Sequence, residues 1–593
     1  MNQQAGSTPT VDHVTASVIQ GALENIAIEM GYKLMRMSYS SIIRESEDFG
    51  AGLVDVQGRG LAESAQSTPL QSGPIPGYVQ GMQKILDQRG DGLRPGDVIM
   101  HNDAYSGASH GPDVGFIVPV FYDGELIAFS ATTAHHLDIG ALTPGSCGIV
   151  DAIDAYAEGL QFKAIRVYDQ GEKVEPVWHI LRDNIRVSDL VVGDMEAQIA
   201  AARIGAERLV ELIDRYGKAI FQSACESVMQ HSERLMRQAI AALPDGTYAA
   251  TTYIDGYLDD PEPSRKELPL CVAITVTGDE MVVDLTGTAP QIPDKPINMP
   301  LQGTVDIAIW LTVRSVLLDT AVHGHIPVND GLVRPIKIAA PEGCLANPVF
   351  PAPTIARFCP GNQLADTVMK ALAQVAPSQV SAGIGNLRVI AFSGLQNSEH
   401  WVHMEIFEGS YGGRDGKDGM DAVDTLYANT RNNPIEDIES HLPLRVDRYE
   451  LREDVCGAGQ WRGGLGSVRE FVYLDDGGAS VEGEGHKFAP WGFQGGGEGG
   501  TAGLHLDRAN TDSGKSGELP SKVPHTPVQA GDRFVCVGPA GGGYGDPMLR
   551  DPEMVLADVT DGLISINTAA NDYGVVITDE LTIDDEATAR QRG

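Results

Sequence analysis

The sequence predicts an α+β protein of several domains, with mixed and antiparallel sheets, packed helices and a glycine-rich β part toward the C-terminus. Three observations carry this. The chain has 593 residues, too many for one simple core, so two to four domains are expected. Long apolar stripes with helical spacing occur over 12–37, 194–217 and 219–242. Beyond residue 380 the pattern changes to short apolar runs between glycine loops. The chain holds 69 glycines where the usual ~7% would give about 42. These changes divide it into an N-terminal α/β part (12–245), a central α+β part (246–380), a glycine-rich β part (381–575) and an acidic tail (576–593), whose end is expected to fray.

In chain order, residues 12–37 place Val14, Val18, Ala22, Ile26 and Met30 four apart, with Ile19, Leu23 and Ala27 widening the stripe. Ala51–Val56 reads as a strand. Residues 60–98 are loop-rich, with Thr68-Pro69, Gly73-Pro74 and Pro76-Gly77 as turn signals and a helix near 77–88. Two apolar runs follow, Val114–Phe121 and Glu125–Ser130, each the length of a buried strand. After the helices at 194–217 and 219–242, alternating patterns over 247–290 predict an antiparallel sheet. Residues 301–320 and 362–376 predict helices, and the polar stretch 507–524 a surface loop.

Net charge is −38 and hydrophobic content 42%. So acidic a chain repels phosphate backbones and anionic lipid, which argues against nucleic-acid and membrane partners. Seven cysteines are scattered with no C-x-x-C, so a zinc ribbon and a thioredoxin motif are excluded. An odd, dispersed set fits reduced thiols in a cytoplasm. Met1–Thr10 is polar, without a secretory pattern, and no run reaches the 18 apolar residues of a membrane span.

The most informative segments are His110-Gly111-Pro112-Asp113 and Ala134-His135-His136-Leu137-Asp138. Imidazole with carboxylate is the donor set of a divalent metal site. Turn formers precede His110 (Asn102-Asp103-Ala104-Tyr105-Ser106-Gly107), and the second strand runs into His135. Pairing of the two strands would carry His110 and His135 to the same sheet edge. Asp103, Asp113 and Asp138 add three acids. A metal or proton-transfer site is the reading of the whole cluster, and spacing alone does not name the metal. The acids around Arg44 in Arg44-Glu45-Ser46-Glu47-Asp48 read either as a solvated pair or as groups reaching a site. His323-Gly324-His325 is a second, weaker pair in a turn.

No nucleotide site is legible. Ser513-Gly514-Lys515-Ser516 lacks the earlier glycine of a phosphate loop, since Ala509 stands there, and no apolar strand precedes it. No G-x-G-x-x-G opens a helix after a strand, and no G-x-S-x-G elbow stands in a strand–helix context.

Several stretches together resemble the hydantoinase B/oxoprolinase family. They are Ser41-Ile42-Ile43-Arg44-Glu45-Ser46-Glu47-Asp48-Phe49, Asn102 through Asp113, Ala134 through Gly140, Pro144-Gly145-Ser146, Glu158-Gly159-Leu160, Asn184-Ile185-Arg186, Gly193 through Gln198, Arg445 through Arg452, and Gly541-Gly542-Gly543-Tyr544-Gly545-Asp546-Pro547. The resemblance runs from about residue 12 to 555. It implies a B-type subunit that works in a hetero-oligomer with a hydantoinase A-type ATPase subunit. That partner uses ATP to phosphorylate the substrate oxygen, which agrees with the missing nucleotide motif here. It implies metal ligands at Asp48, His110, Asp113 and His135, with Zn, Mn or Fe left open, as is the choice between His135 and His136. His136 and Asp138 are then placed beside the ligands as orienting groups and proton acceptors, and Asp103 is counted with them. Two departures stand out. Gly107-Ala108-Ser109 replaces the family's Gly-Gly-Thr, and Gly485-His486-Lys487-Phe488 lacks an arginine that many relatives carry, which puts a basic substrate contact there in doubt.

The resemblance implies ATP-dependent hydrolysis of a cyclic amide. The metal would lower the pKa of a bound water to attack the phosphorylated ring. The alternative is a subunit of an ATP-dependent ketone carboxylase of the acetone or acetophenone type. A scaffold without catalysis would leave the clustered imidazoles and carboxylates unexplained.

Overall fold

The computed structural model describes residues 11–510 and 514–593. Met1–Thr10 and residues 511–513, including Ser513 of the Walker-like piece, lie outside them. The molecule is a mixed α/β structure built on four sheets.

The first helix, His13–Met37, begins at Asp12, whose carboxylate accepts the Thr15 N–H at 2.9 Å, a stabilising N-cap. It buries Ile19, Leu23, Ile26, Ala27, Met30 and Leu34, while Val14 and Val18 are exposed. This corrects the stripe expected from strict four-residue spacing. Four residues turn the helix by more than 360°, so a buried face alternates threes and fours. The helix Ser188–Tyr216 packs on one side against this helix and on the other against a sheet. Gly205 permits the contact: a Cβ there would lie 2.3 Å from both Met30 Sδ and Ser130 Oγ.

That sheet contains β1 (Phe49–Asp55), β2 (Gly60–Glu63), β3 (Val98–His101), β4 (Asp113–Tyr122), β5 (Glu125–His135), β6 (Ile165–Asp169) and β7 (Glu172–Lys173), ordered β2-β1-β5-β4-β3-β6-β7. Its pairs are antiparallel. β2 and the short helix Pro69–Ser72 lie where only loop and one helix were expected; both are four residues, too short to show a period. The helix Glu175–Asn184 was likewise not anticipated, since it buries only Trp178 and Leu181.

The second sheet holds β8 (Gly246–Gly256), β9 (Lys266–Thr277), β10 (Glu280–Asp284) and β11 (Ile336–Ala339), with β11 parallel to β10. The helix Phe358–Leu372 covers it. The helix expected over 301–320 is shorter, Asp306–Leu317. An irregular turn with Gly303 at φ 88° precedes it, and a separate turn Thr320–His323 follows.

The remaining strands are β12 (Arg388–Gln396), β13 (Glu399–Phe407), β14 (Leu444–Leu451), β15 (Ser467–Tyr473), β16 (Gly477–Gly483), β17 (Gly503–Asp507), β18 (Gly517–Glu518), β19 (Lys522–Val528) and β20 (Arg533–Val537). They form sheets β13-β12-β16-β19 and β14-β15-β20-β17-β18. The sheets share one apolar cluster containing Ile390, Phe392, Phe471 and Phe534. Alternation turns Val389, Ala391, Met404 and Ile406 to the opposite face, into the main core. The polar 507–524 segment is therefore partly sheet, since β18 and the start of β19 fall within it.

The glycine runs have a packing cause. The amides of Gly541, Gly542 and Gly543 donate to the carbonyls of Gly464, Gly383 and Gly497, at 2.8, 2.9 and 2.9 Å. Their carbonyls accept from Gly457, Gly413 and Phe493, at 2.8, 2.8 and 2.9 Å. Four separate stretches of chain, at 383, 413, 457–464 and 493–497, surround this run, where a sheet strand has two neighbours. Only residues without a Cβ allow that approach. The end of the chain is ordered: Ile577 bridges Ile583, and the helix Asp585–Arg592 docks through Arg592 on the carbonyls of Tyr573 and Arg550. This corrects the expectation of a fraying tail.

Candidate metal centre

Three neighbouring strands of the first sheet end at one edge. Asp113 opens β4 and sits directly opposite His135, the last residue of β5. β1 begins beside it, pairing Phe49 with Ala134, and the Asp48 carbonyl accepts the His135 N–H at 3.3 Å. His110 stands three residues before β4. The pairing of β4 with β5 anticipated from sequence brings His110, Asp113 and His135 to one edge, and the pairing of β1 with β5, which was not anticipated, adds Asp48.

One ligand atom each from His110, Asp113 and His135 lies within 4.8 Å of the others. His110 Nδ1 lies 3.2 Å from the Ile355 carbonyl, which can only accept, so Nδ1 carries the proton and Nε2 the lone pair. His110 Nε2 lies 3.1 Å from Asp113 Oδ1, yet it is buried without a hydrogen-bond partner. His135 Nδ1 lies 3.0 Å from Asp113 Oδ1, and its Nε2 is likewise buried and unpartnered. Two orphaned imidazole nitrogens beside a carboxylate fit a divalent cation, because unmet buried acceptors are otherwise costly. Burial and the nearby Arg357 lower the His110 pKa to about 4, so the ring is neutral near pH 7, as a ligand must be.

Asp113 is the most heavily engaged group. Its Oδ1 also accepts Gln71 Nε2 at 2.8 Å, and its Oδ2 accepts Ser109 Oγ at 2.5 Å and Arg357 Nη2 at 2.6 Å. Burial opposes its charge, but His110 and Arg357 hold its carboxyl well below the usual range. Asp48 has fewer partners, with Thr68 Oγ1 at 3.3 Å. Burial, reinforced by the Asp113 charge, raises it to about 6, so a cation would find here a carboxylate short of counter-charge.

Asp48, His110 and His135 line a cavity of about 30 Å³, with Arg357 and Glu482 as further polar walls and Leu70, Ile355, Met404 and Ile406 among the apolar ones. Such a volume holds an ion or one to two waters; a ring enters only if the walls move.

The three residues expected to exchange protons are held elsewhere, and none is among those lining the cavity. His136 is fully buried with Nε2 2.9 Å from Gln198 Oε1. Asp138 accepts the N–H groups of Gly140, Gly145 and Arg186 and pairs with the Arg186 guanidinium at 3.2 Å. Asp103 closes its own turn through Tyr105 N and Ser106 Oγ. His323 and His325 lie apart: His323 Nδ1 is 2.9 Å from the Asp319 carbonyl and His325 pairs with Glu24. Where an arginine was noted as missing, His486 Nε2 accepts from the buried Arg388 at 2.8 Å.

Sequence reading missed Arg357, Gln71 and Glu482, and it gave no role to Glu158, although Glu158-Gly159-Leu160 was among the stretches that carry the resemblance. Glu158 accepts Thr354 N at 2.6 Å and Ile355 N at 2.5 Å, fixing the carbonyl that holds His110. The signals were faint: one guanidinium within the apolar run Ile355–Cys359, and one acid in the strand ending Val481-Glu482-Gly483.

The hydantoinase B/oxoprolinase family model matches residues 12–547. The chain belongs to this family. A protein of Pseudomonas sp. strain NS671, named as the B subunit of a D-/L-hydantoinase, is 63% identical over 582 residues, 98% of each chain. The crystal structure of the ATP-dependent caprolactamase from Pseudomonas jessenii is similar at TM-score 0.88 with 30% identity, over 98% of this chain and 100% of that one. A nucleotide-free acetone carboxylase structure shares the fold at TM-score 0.86, with 18% identity over 98% of this chain and 82% of the other. Among the described residues no helix is long and apolar enough to cross a membrane.

Proposed function

We propose that this family member is the B-type subunit of an ATP-dependent cyclic-amide hydrolase of the hydantoinase type. An A-type subunit would spend ATP on phosphorylating the ring oxygen, and this chain would open the ring. The observation that carries the reading is the pair of buried, unpartnered His110 and His135 Nε2 atoms in a mostly apolar cavity. The likeness to the B chain of a hydantoinase supports the substrate class.

Asp48, His110, Asp113 and His135 would hold the ion; Zn, Mn or Fe suits that donor set. When bound, it supplies Lewis-acid stabilisation of negative charge developing on oxygen. The chain's own residues do the rest. Gln71, Ser109 and Arg357 keep Asp113 ionised and aimed. Ile355, fixed by Glu158, sets the His110 tautomer. Asp138 braces the turn after His135, and His136 anchors the end of β5 to the helix Ser188–Tyr216 through Gln198. The apolar walls limit free water, so an activated ring is not lost to solvent. The carboxylase alternative is supported by fold alone.

The test supplies the protein, co-purified with its A-type partner, with ATP and a panel of hydantoins, 5-oxoproline and lactams. A second panel contains acetone and acetophenone with labelled bicarbonate. ADP release with a ring-opened, unlabelled product is expected. Label in a keto acid, with no ring opened, would overturn the reading.

A further inference from the structure

We propose that Glu482 is the acid that protonates the ring nitrogen as the cyclic amide opens; the role rests on the hydrolase reading above. Glu482 lies on β16, paired with Val389 of β12, so it reaches the cavity from the C-terminal sheet, and His110 and His135 line the same cavity from the first sheet. It is buried, 4% exposed. The Cys359 N–H holds its Oε1 at 2.8 Å, and among the described residues no cation forms an ion pair with it. Asp48 is assigned to the ion, and His136, Asp138 and Asp103 are held away from the cavity. Glu482 is therefore the carboxyl left there for proton transfer. Burial also raises its pKa against the pull of Cys359 N–H, Lys522 and Arg357, which favours the protonated form such a donor needs.

The chemistry shows what the proton decides. Water adds its oxygen to the carbon of the O-phosphorylated ring and one proton to nitrogen. The tetrahedral carbon then bears hydroxyl, phosphate and ring nitrogen. If the C–O bond to phosphate breaks, the intact cyclic amide returns carrying the oxygen of water, and ATP has been consumed for nothing. If nitrogen receives a second proton, the C–N bond breaks with its electron pair going to nitrogen, leaving an amine and an acyl phosphate. Glu482 gives that proton and regains one from the hydroxyl as it becomes a carbonyl, so both protons of water end on nitrogen. A second water then cleaves the acyl phosphate to carboxylate and phosphate. An acid beside nitrogen thus couples ATP use to ring opening.

The test compares wild type with Glu482→Gln and Glu482→Asp. Each is co-purified with the A-type partner and given ATP and a cyclic amide that wild type opens, in oxygen-18 water. Glutamine still accepts from Cys359 N–H but cannot give the proton. Ring opening should fall about 10²–10⁴-fold, the usual share of a general acid. ADP release should continue, raising ADP per opened ring, and recovered cyclic amide should carry oxygen-18. Bound metal should be unchanged. Glu482→Asp, which keeps an acid, should restore part of the coupling, and it carries the test if the glutamine variant does not fold. Unchanged ADP per opened ring, or parallel loss of ADP release and opening with no label in the substrate, would overturn the role. A wild type that opens no cyclic amide would overturn the hydrolase reading itself.

Discussion

At the residue scale, the contact that most constrains the site is Arg357 on Asp113. Both are essentially excluded from solvent, at 1% and 0% exposure, and 2.6 Å apart. Arg357 also donates to Tyr427 Oη at 3.2 Å. A carboxylate in such surroundings is stable only while its counter-charge is present, so removing the guanidinium leaves an uncompensated buried charge. Arg357→Met is expected to cost about 3–5 kcal/mol, read as a shift of the urea midpoint. Binding a divalent ion should recover part of the loss, since the ion supplies the missing positive charge. A variant as stable as wild type would show that Asp113 does not depend on Arg357. Arg357 reaches Asp113 across 244 positions of chain, so no local pattern announces it. His110, Asp113 and His135 were legible because two adjacent strands carry them. Asp48 was proposed as a ligand only through family resemblance.

At the element scale, the long helices were legible because each buries a broad stripe at helical spacing. The four-residue elements were not, since fewer than two turns or two alternations carry no period. The glycine runs show a different limit. Their composition signalled close backbone approach, but composition does not say what approaches. A Cβ on Gly542 would lie 2.1 Å from the Trp491 carbonyl oxygen, and rigid backbone cannot retreat as a side-chain end can. Gly542→Ala should therefore destabilise by about 3 kcal/mol or more, at the upper end of overpacking. Gly92→Ala is the comparison: nothing lies within 4 Å of its Cβ position, and the change should be neutral or stabilise by about 0.4–1 kcal/mol. Equal unfolding midpoints for the two variants would sink the account of the glycine bundle.

At the scale of the whole molecule, the cavity is where distant parts of the chain meet. The first sheet supplies Asp48, His110 and His135, the segment before the helix Phe358–Leu372 supplies Ile355 and Arg357, and the sheet of β12, β13 and β16 supplies Met404, Ile406 and Glu482. A ligand that binds only the folded form stabilises every element whose opening destroys the site. At free metal about 100 times its Kd the gain is about 2.7 kcal/mol. Metal-loaded protein should therefore unfold at a higher midpoint than chelator-treated protein, and His110→Ala should abolish the difference. Losing even an outer-shell partner of a metal ligand costs about 10–100-fold in affinity, and losing a ligand should cost at least that. Amide hydrogen exchange then separates two cases. If the cavity joins the sheets, metal slows exchange in β12 and β16 as well as in β4 and β5. Protection confined to residues 110–138 would mean that the C-terminal wall opens independently of the ion, and the coupling between the sheets, along with a fixed position for Glu482, would fall.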